Sequence, residues 1–468
     1  MWFYLVLNQI FSLDRIQVVS KVEDKLSEIR HIKLTLFAMI KKILGKSELL
    51  RHVLTLLQGT VIAQLISVSM QMVLRRVFTV SDFGIMSLYA SAIGVLVILS
   101  TGRYEMAIVL PKEDKNAKAI FRISVIISLA FNLLLLIILL FTAGQIMDLV
   151  LAHELIDPKE VTDISLVKYL IYCIPLGVFL LSLYNAFNYM FTRHKAYKTL
   201  SKNRIIQAVT VNGTSAAFGA GGFGFFGLFF GYALGLVTSV IFLFSSKLNL
   251  LKGEVGDTKE NLKKYADFPK KSMPSGVINM LALQLPTFMI FGFFGAQISG
   301  IYDIITRVLN APITMIGKSV SQVFYQKIST DLNEGKPISG YIKKSSIRLF
   351  LFMLIPMAII FFFGPPLFAF FFGEKYRLAG ELSTYFSLFF LVRFVYYSQS
   401  TLFSAVRKIG VEFRQNVIFL ISQVSALLIG YYYYQDFEIT FILLALSGFL
   451  CYSFFIFALI RTAKKVDE

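Results

Sequence analysis

AIFRISVIISLAFNLLLLIILLFTA, residues 119–143, carries a single charge, Arg122. The hydrocarbon core of a bilayer is about 30 Å thick and takes about 20 apolar residues in helical form, so this stretch is long enough to cross it. Its apolar run is continuous, whereas barrel strands alternate over about ten residues. Eleven further stretches qualify, near 53–74, 84–109, 168–191, 205–221, 224–246, 273–296, 300–325, 349–371, 382–405, 415–433 and 439–460. The loops between them are short. The chain therefore reads as an all-α polytopic membrane protein of about twelve transmembrane helices. Composition agrees: 56% hydrophobic, 15% aromatic and 16% charged residues, outside the usual range of a soluble domain.

A net charge of +18 would suit nucleic acid, but its distribution argues against that partner. Lys112/Lys115/Lys118, Arg193/Lys195/Lys198/Lys202, Lys259/Lys263/Lys264/Lys270/Lys271, Lys343/Lys344, Arg407/Lys408 and Lys464/Lys465 fall on one side of the expected topology. The other side holds only Arg75, Arg76, Lys159, Lys375 and Arg377. This is the positive-inside pattern, and it puts both termini in the cytoplasm.

Cys173 and Cys451 lie in different expected spans, and no His or Cys spacing implies a disulfide or a metal site. His31, His52, His153 and His194 read as solvated loop or amino-terminal residues. Residues 1–50 form a separate segment. Met1–Leu13 is too short to span and lacks the flanks of a signal peptide. Residues 32–46 mix Leu36, Phe37 and Ile40 with Lys33, Lys41 and Lys42, which fits a helix lying on the cytoplasmic leaflet. Met39 is an alternative translation start.

An internal repeat organises the rest. Asp82-Phe83-Gly84-Ile85 is echoed by Ile298-Ser299-Gly300-Ile301, and Gly59-Thr60-Val61-Ile62 by Gly276-Val277-Ile278 with one gap. The offset is near 216 residues. Two parallel six-helix lobes are expected, 51–246 and 272–462, related by a pseudo-twofold axis along the membrane normal. Residues 247–271 would link them in the cytoplasm, and 463–468 would form a tail.

Four cations, Arg103, Arg307, Lys318 and Arg393, interrupt the apolar runs. A charge at bilayer depth costs roughly 2.5–3.5 kcal/mol, so such residues usually face a cavity or a partner. Together they point to a transporter for something anionic. Arg393 sits about twelve residues into its span, about 18 Å deep. Asp303 precedes Arg307 by one helical turn, so a local ion pair competes with cavity lining there. Lys318 and Arg103 approach the cytoplasmic end, within snorkelling reach. Glu105 lies two residues beyond Arg103 and faces another side; it either balances a distant cation or binds a coupling proton or Na⁺. No other cofactor and no catalytic group is expected. Asn279, Gln284, Gln322, Asn185 and Asn188 either contact sugar or join helices by hydrogen bonds. Pro286 and Pro312 are candidate gating kinks, with Pro175 and Pro356 also inside spans. Gly227, Gly231 and Gly235 read as close helix packing, and Tyr431–Tyr434 as part of the interfacial aromatic belt.

Thr101-Gly102-Arg103-Tyr104-Glu105-Met106-Ala107-Ile108-Val109-Leu110-Pro111-Lys112 resembles the end of the second helix in bacterial polysaccharide-repeat (O-antigen, Wzx-type) flippases. Phe268-Pro269-Lys270-Lys271-Ser272-Met273-Pro274-Ser275 is similar to the opening of that family's seventh helix. Phe293-Phe294-Gly295, Arg307-Val308-Leu309-Asn310-Ala311-Pro312 and Ile316-Gly317-Lys318-Ser319-Val320-Ser321-Gln322-Val323-Phe324-Tyr325 resemble its eighth-helix pattern. The resemblance runs from about Lys46 to Lys465. It implies a member of the multidrug, oligosaccharidyl-lipid and polysaccharide exporter superfamily, in the bacterial cytoplasmic (inner) membrane. The substrate implied is an oligosaccharide on undecaprenyl diphosphate, and the partners are membrane lipids and polysaccharide-assembly enzymes. Arginine suits a diphosphate because its planar donors grip oxygens bidentately.

Rocking between the halves would pass the head group through the centre while the polyprenyl tail stays in lipid. With the cell interior negative, an outward-moving anion gains about 2.3 kcal/mol per charge per 100 mV. No G-x-x-x-x-G-K-[ST] loop for ATP is present in the chain. A drug exporter of the same superfamily would be expected to place unpaired acids in its cavity, a polymerase or ligase to carry a large outer loop, and a channel to repeat a selectivity filter.

Overall fold

Helices occupy the expected stretches in the computed structural model, which describes residues 48–153, 155–156, 164–246, 253–406 and 408–468. By internal contact the chain divides into residues 1–58 and 59–468. Of the first, only the opening turns of a helix are described; the expected leaflet-bound segment, Met39 and most of residues 1–50 lie outside the described residues. So do 247–252 of the expected linker and Arg407.

The helices are α1 (Glu48–Val77), α2 (Val80–Thr101), the short α3 (Tyr104–Ala107), α4 (Asp114–Ala152), α5 (Ile164–Arg193), α6 (Tyr197–Ala220) and α7 (Phe225–Ser246). After α8 (Thr258–Lys264) come α9 (Met273–Pro312), α10 (Lys318–Asn333), α11 (Ser339–Phe372), α12 (Arg377–Gln399), α13 (Leu402–Ala405), α14 (Ile409–Leu428) and α15 (Phe437–Asp467). Among the described residues no strand forms, and nine helical stretches are long and apolar enough to cross a membrane. The expected first and fifth spans, in α1 and α6, are not among them; the first half of α6 carries Lys198, Lys202, Asn203, Arg204 and Gln207.

Two boundaries differ from expectation. The second span does not continue to residue 109: α2 stops at Thr101, and Gly102 and Arg103 turn left-handed at φ 57° and 63°. The seventh and eighth spans are not separated by a loop. They run together as α9, broken at Gly295 (φ 78°), whose left-handed backbone glycine adopts without steric cost. The non-helical residue inside α9 is thus Gly295 rather than Pro286; a π-helical turn, Ile313–Gly317, follows Pro312.

The apolar core gathers on α9, α11, α12 and α15, with Ile304, Ile305, Leu309, Met353, Phe394, Phe441 and Leu444 buried completely. A second cluster joins α2, α5 and α7 through Ile93, Val178 and Phe229. Gly231 and Gly235 of α7 press on Val211 and Ser215 of α6, the close packing their spacing implies. Cys173 and Cys451 are free thiols.

The crossing of α2 over α9 is set by two glycines. A Cβ on Gly84 would lie 1.8 Å from the Ala296 carbonyl oxygen, and one on Gly300 would lie 2.0 Å from that of Val80. Residues 84 and 300, like 80 and 296, are the repeat-related pairs, so the contact is reciprocal, as a local twofold relation between the two helices requires. Gly300→Ala forces backbones apart, and overpacking of this kind costs about 1–3 kcal/mol. Thermal unfolding followed with a thiol-reactive dye at Cys173 and Cys451 should show a clearly lower midpoint for Gly300→Ala. The control Gly213→Ala, where nothing lies within 4 Å, should leave it within a degree or two.

Candidate functional site

At the end of the bundle bearing the basic loops, a cavity of about 330 Å³ opens between the α2–α3 turn, the start of α9 and α14. Arg103, Ser272, Ser275, Asn279, Glu412 and Asn416 supply its polar lining. The turn that carries Arg103 costs a non-glycine residue roughly 1–2 kcal/mol, a strain of the kind that collects at functional sites. It swings the side chain across α9 at Gly276, where a Cβ would lie 2.3 Å from Nη2. Nη1 reaches the Met106 sulfur at 3.0 Å, and Nε is buried without a partner among the described residues. The guanidinium thus borders a hollow lined by both polar and apolar side chains. Glu105, next door, is buried with one carboxylate oxygen unpartnered.

The opposite end is closed by a cluster that the sequence signalled only in part, through the Asp303–Arg307 spacing. Arg75, placed by sequence in an outer loop, lies in the last turn of α1 and is 0% exposed. Its Nη2 pairs with Asp303 of α9, and its Nη1 donates to the Gly300 carbonyl and the Tyr376 hydroxyl, both at 3.4 Å. Its Nε donates to Gln71 at 3.3 Å, and its guanidinium sits 3.6 Å from the centre of the Phe83 ring. Asp303 also accepts from Arg307, at 3.1 and 3.3 Å, the local pair its i+4 spacing allowed. One carboxylate therefore holds two guanidiniums. Lys375, from the turn between α11 and α12, adds a bond to the Phe78 carbonyl.

The expected cations do not share one cavity. Arg103 lines the hollow just described; Arg307, its side chain 52% exposed, lines a different one with no lining residue in common. Arg393 lies among aromatic rings of α12, 5.3 and 5.7 Å from the centres of Phe390 and Phe389. Lys318 is exposed at the start of α10. Of the amides, Asn279 lines the Arg103 cavity, whereas Gln284 accepts from Ser91 and ties α9 to α2. Asn188 bonds its own helix at Tyr184. The side chains of Gln322 and Pro312 lie outside the described residues. Glu412 and Asn416 escaped sequence reading because an acid and an amide near a helix start look like ordinary solvated residues. Arg75 had one legible signal: Gln71, a polar residue one turn earlier within an apolar span.

A multi-pass helical bundle with a polar, arginine-bearing hollow at one end and a buried ionic closure at the other has the form of a membrane transporter. The sequence model of the family described as "Polysaccharide biosynthesis protein" matches residues 73–380, and the chain belongs to that family. Its fold is that of the MOP superfamily. The lipid II flippase MurJ in an inward closed conformation aligns with TM-score 0.66 at 13% identity, over 87% of this chain and 89% of MurJ. An inward-facing multidrug resistance MATE family transporter aligns with TM-score 0.59 at 15% identity, over 88% and 95%. A MOP superfamily transporter from Pyrococcus furiosus aligns with TM-score 0.56 at 13% identity, over 89% and 95%. No curated protein matches the sequence.

The shared carboxylate orders two substitutions. Asp303→Asn strands Arg75 as a buried charge with no counter-ion, a loss of about 3–5 kcal/mol, while Arg75→Met leaves Asp303 with Arg307. Thermal unfolding in detergent should therefore place Asp303→Asn below Arg75→Met; the reverse order would contradict this account of the cluster.

Proposed function

We propose that the protein moves an oligosaccharide carried on undecaprenyl diphosphate from the inner to the outer leaflet of the bacterial cytoplasmic membrane. The observation that carries this reading is Arg103: a strained turn places its guanidinium on a hollow that also bears the hydroxyls of Ser272 and Ser275 and the amides of Asn279 and Asn416, beside the carboxylate of Glu412 and apolar side chains. A diphosphate needs the first, and a sugar chain needs the second. Membership of a polysaccharide biosynthesis family supports the same substrate class.

In this reading the hollow faces the cytoplasm, where the basic loops lie, and receives the head group. The Arg75–Asp303 closure keeps the far end shut meanwhile. Translocation then separates α1 and α2 from α9 at that end, breaking the Gly84/Gly300 crossing and the ion pair together. Outward movement of the anion runs down the membrane potential, with Glu105 as the group that takes a proton or Na⁺ if the cycle is ion-coupled.

Complementation of a strain lacking its own repeat-unit flippase tests this. Wild type should restore surface glycan, and Arg103→Ala at matched membrane expression should lower it by at least about ten-fold, the scale of a lost charge-assisted contact. A well-expressed wild type that restores nothing across several glycan backgrounds would defeat the proposal. In proteoliposomes, flipping indifferent to imposed pH and Na⁺ gradients would remove the coupling role from Glu105.

A further inference from the structure

Glu412 is the acid in the lining of the hollow that holds Arg103. It stands half-buried in the first turn of α14, and among the described residues no side chain pairs with it; neighbouring Arg414 donates instead to the Gly410 carbonyl. Arg103 has no ion pair among the described residues either: Nη1 meets the Met106 sulfur, and Nε is buried without a partner. Two opposite charges thus share one cavity without pairing, one from the α2–α3 turn and one from α14. In a protein of one fixed shape this is a costly arrangement, because each group gives up part of its water without gaining the other.

The far end shows the complementary state. There Arg75 and Asp303 are paired, and the movement that opens that end strands Arg75 without its counter-ion. A cycle between two states of comparable free energy needs that loss offset in the second state.

We propose that Glu412 is a positioning residue that takes up Arg103 when the hollow closes, so that the Arg103–Glu412 pair replaces Arg75–Asp303 as the protein passes from one state to the other. It rests on the alternating movement proposed above, not on the identity of the cargo. The fold suits the exchange. Arg103 crosses α9 at Gly276, where any larger residue would obstruct it, and α14 packs on the same helix, so closing the hollow around the start of α9 moves both charges inward. One guanidinium then serves an anion in the open state and Glu412 in the closed one. Closure therefore withdraws Arg103 from an anion in the hollow and frees that anion toward the end that is opening.

The test is the rate at which a water-soluble maleimide labels Ser275→Cys, an exposed position in the lining, on the purified full chain carrying Cys173→Ser and Cys451→Ser. Arg75→Met unbalances the far closure and should slow labelling by about five-fold, the lower end of the usual coupling between sites. Adding Glu412→Gln should return the parent rate, as should adding Arg103→Glu. Arg103→Glu and Glu412→Arg together should slow labelling again. An acid that serves only the dipole at the start of α14 gives a different pattern, in which the swapped pair labels as fast as either single change. That pattern would overturn the proposal, as would Glu412→Gln leaving the slow labelling unchanged or Arg75→Met labelling at the parent rate. If Arg75→Met fails to fold, oxidation of Arg103→Cys/Glu412→Cys in the otherwise thiol-free chain decides. That disulfide should accumulate, while Arg103→Cys with Leu420→Cys, about two turns further along α14, should stay reduced; equal trapping, or none, overturns the pair. No cargo enters either assay. A wild type that restores no glycan but gives the expected labelling refutes the proposed function alone, and one that restores glycan while Glu412→Gln changes nothing refutes this pair alone.

Discussion

Asp303 is the constraint on which the closed end of the protein depends. A carboxylate 8% exposed, set in an apolar bundle, is tolerable only because two guanidiniums meet it, one from its own helix and one from α1. Neither arginine is interchangeable with the other. Arg307 travels with Asp303 on α9, whereas Arg75 is brought to it by tertiary packing and is stacked between Phe83 and Tyr376. Any movement that parts α1 from α9 therefore leaves Arg75 without its counter-ion, a penalty that holds the pair together until something offsets it.

The glycine crossing beside it sets the geometry of that closure. Gly84 and Gly300 let α2 and α9 meet backbone to backbone, and the last turn of α1 places Arg75 in the same layer. The two contacts mirror each other, Gly84 against Ala296 and Gly300 against Val80. The hollow at the opposite end is built differently, from a strained turn, a glycine gap and polar side chains of α9 and α14, with an acid, Glu412, alongside the arginine. One end is ionic and filled; the other is polar and open.

The cations that looked like a single set in the sequence serve three surroundings. Arg103 faces the polar hollow, Arg307 an apolar groove, and Arg393 a nest of aromatic rings. Linear spacing places each at a depth in the bilayer but not at an angle around its helix axis, and the angle decides which cavity a side chain meets. For Arg103 even the depth changed, since two left-handed residues end α2 early.

The sequence by itself determined that this is a helical membrane protein, because apolar runs of bilayer length admit no other backbone that satisfies its hydrogen bonds in lipid. It also marked most of the apolar helices and the basic loops, and it set residues near 84 and 300 at matching positions of an expected repeat. Those properties are local or compositional, and nearest neighbours along the chain suffice to set them. Only the tertiary structure decided that the repeat-related glycines touch, that Arg75 leaves the apparent loop to be buried against Asp303, and that Glu412 and Asn416 join Arg103. Each of these is a meeting of residues far apart in the chain, and it depends on helix rotation and crossing angle, which packing sets and no run of sequence records.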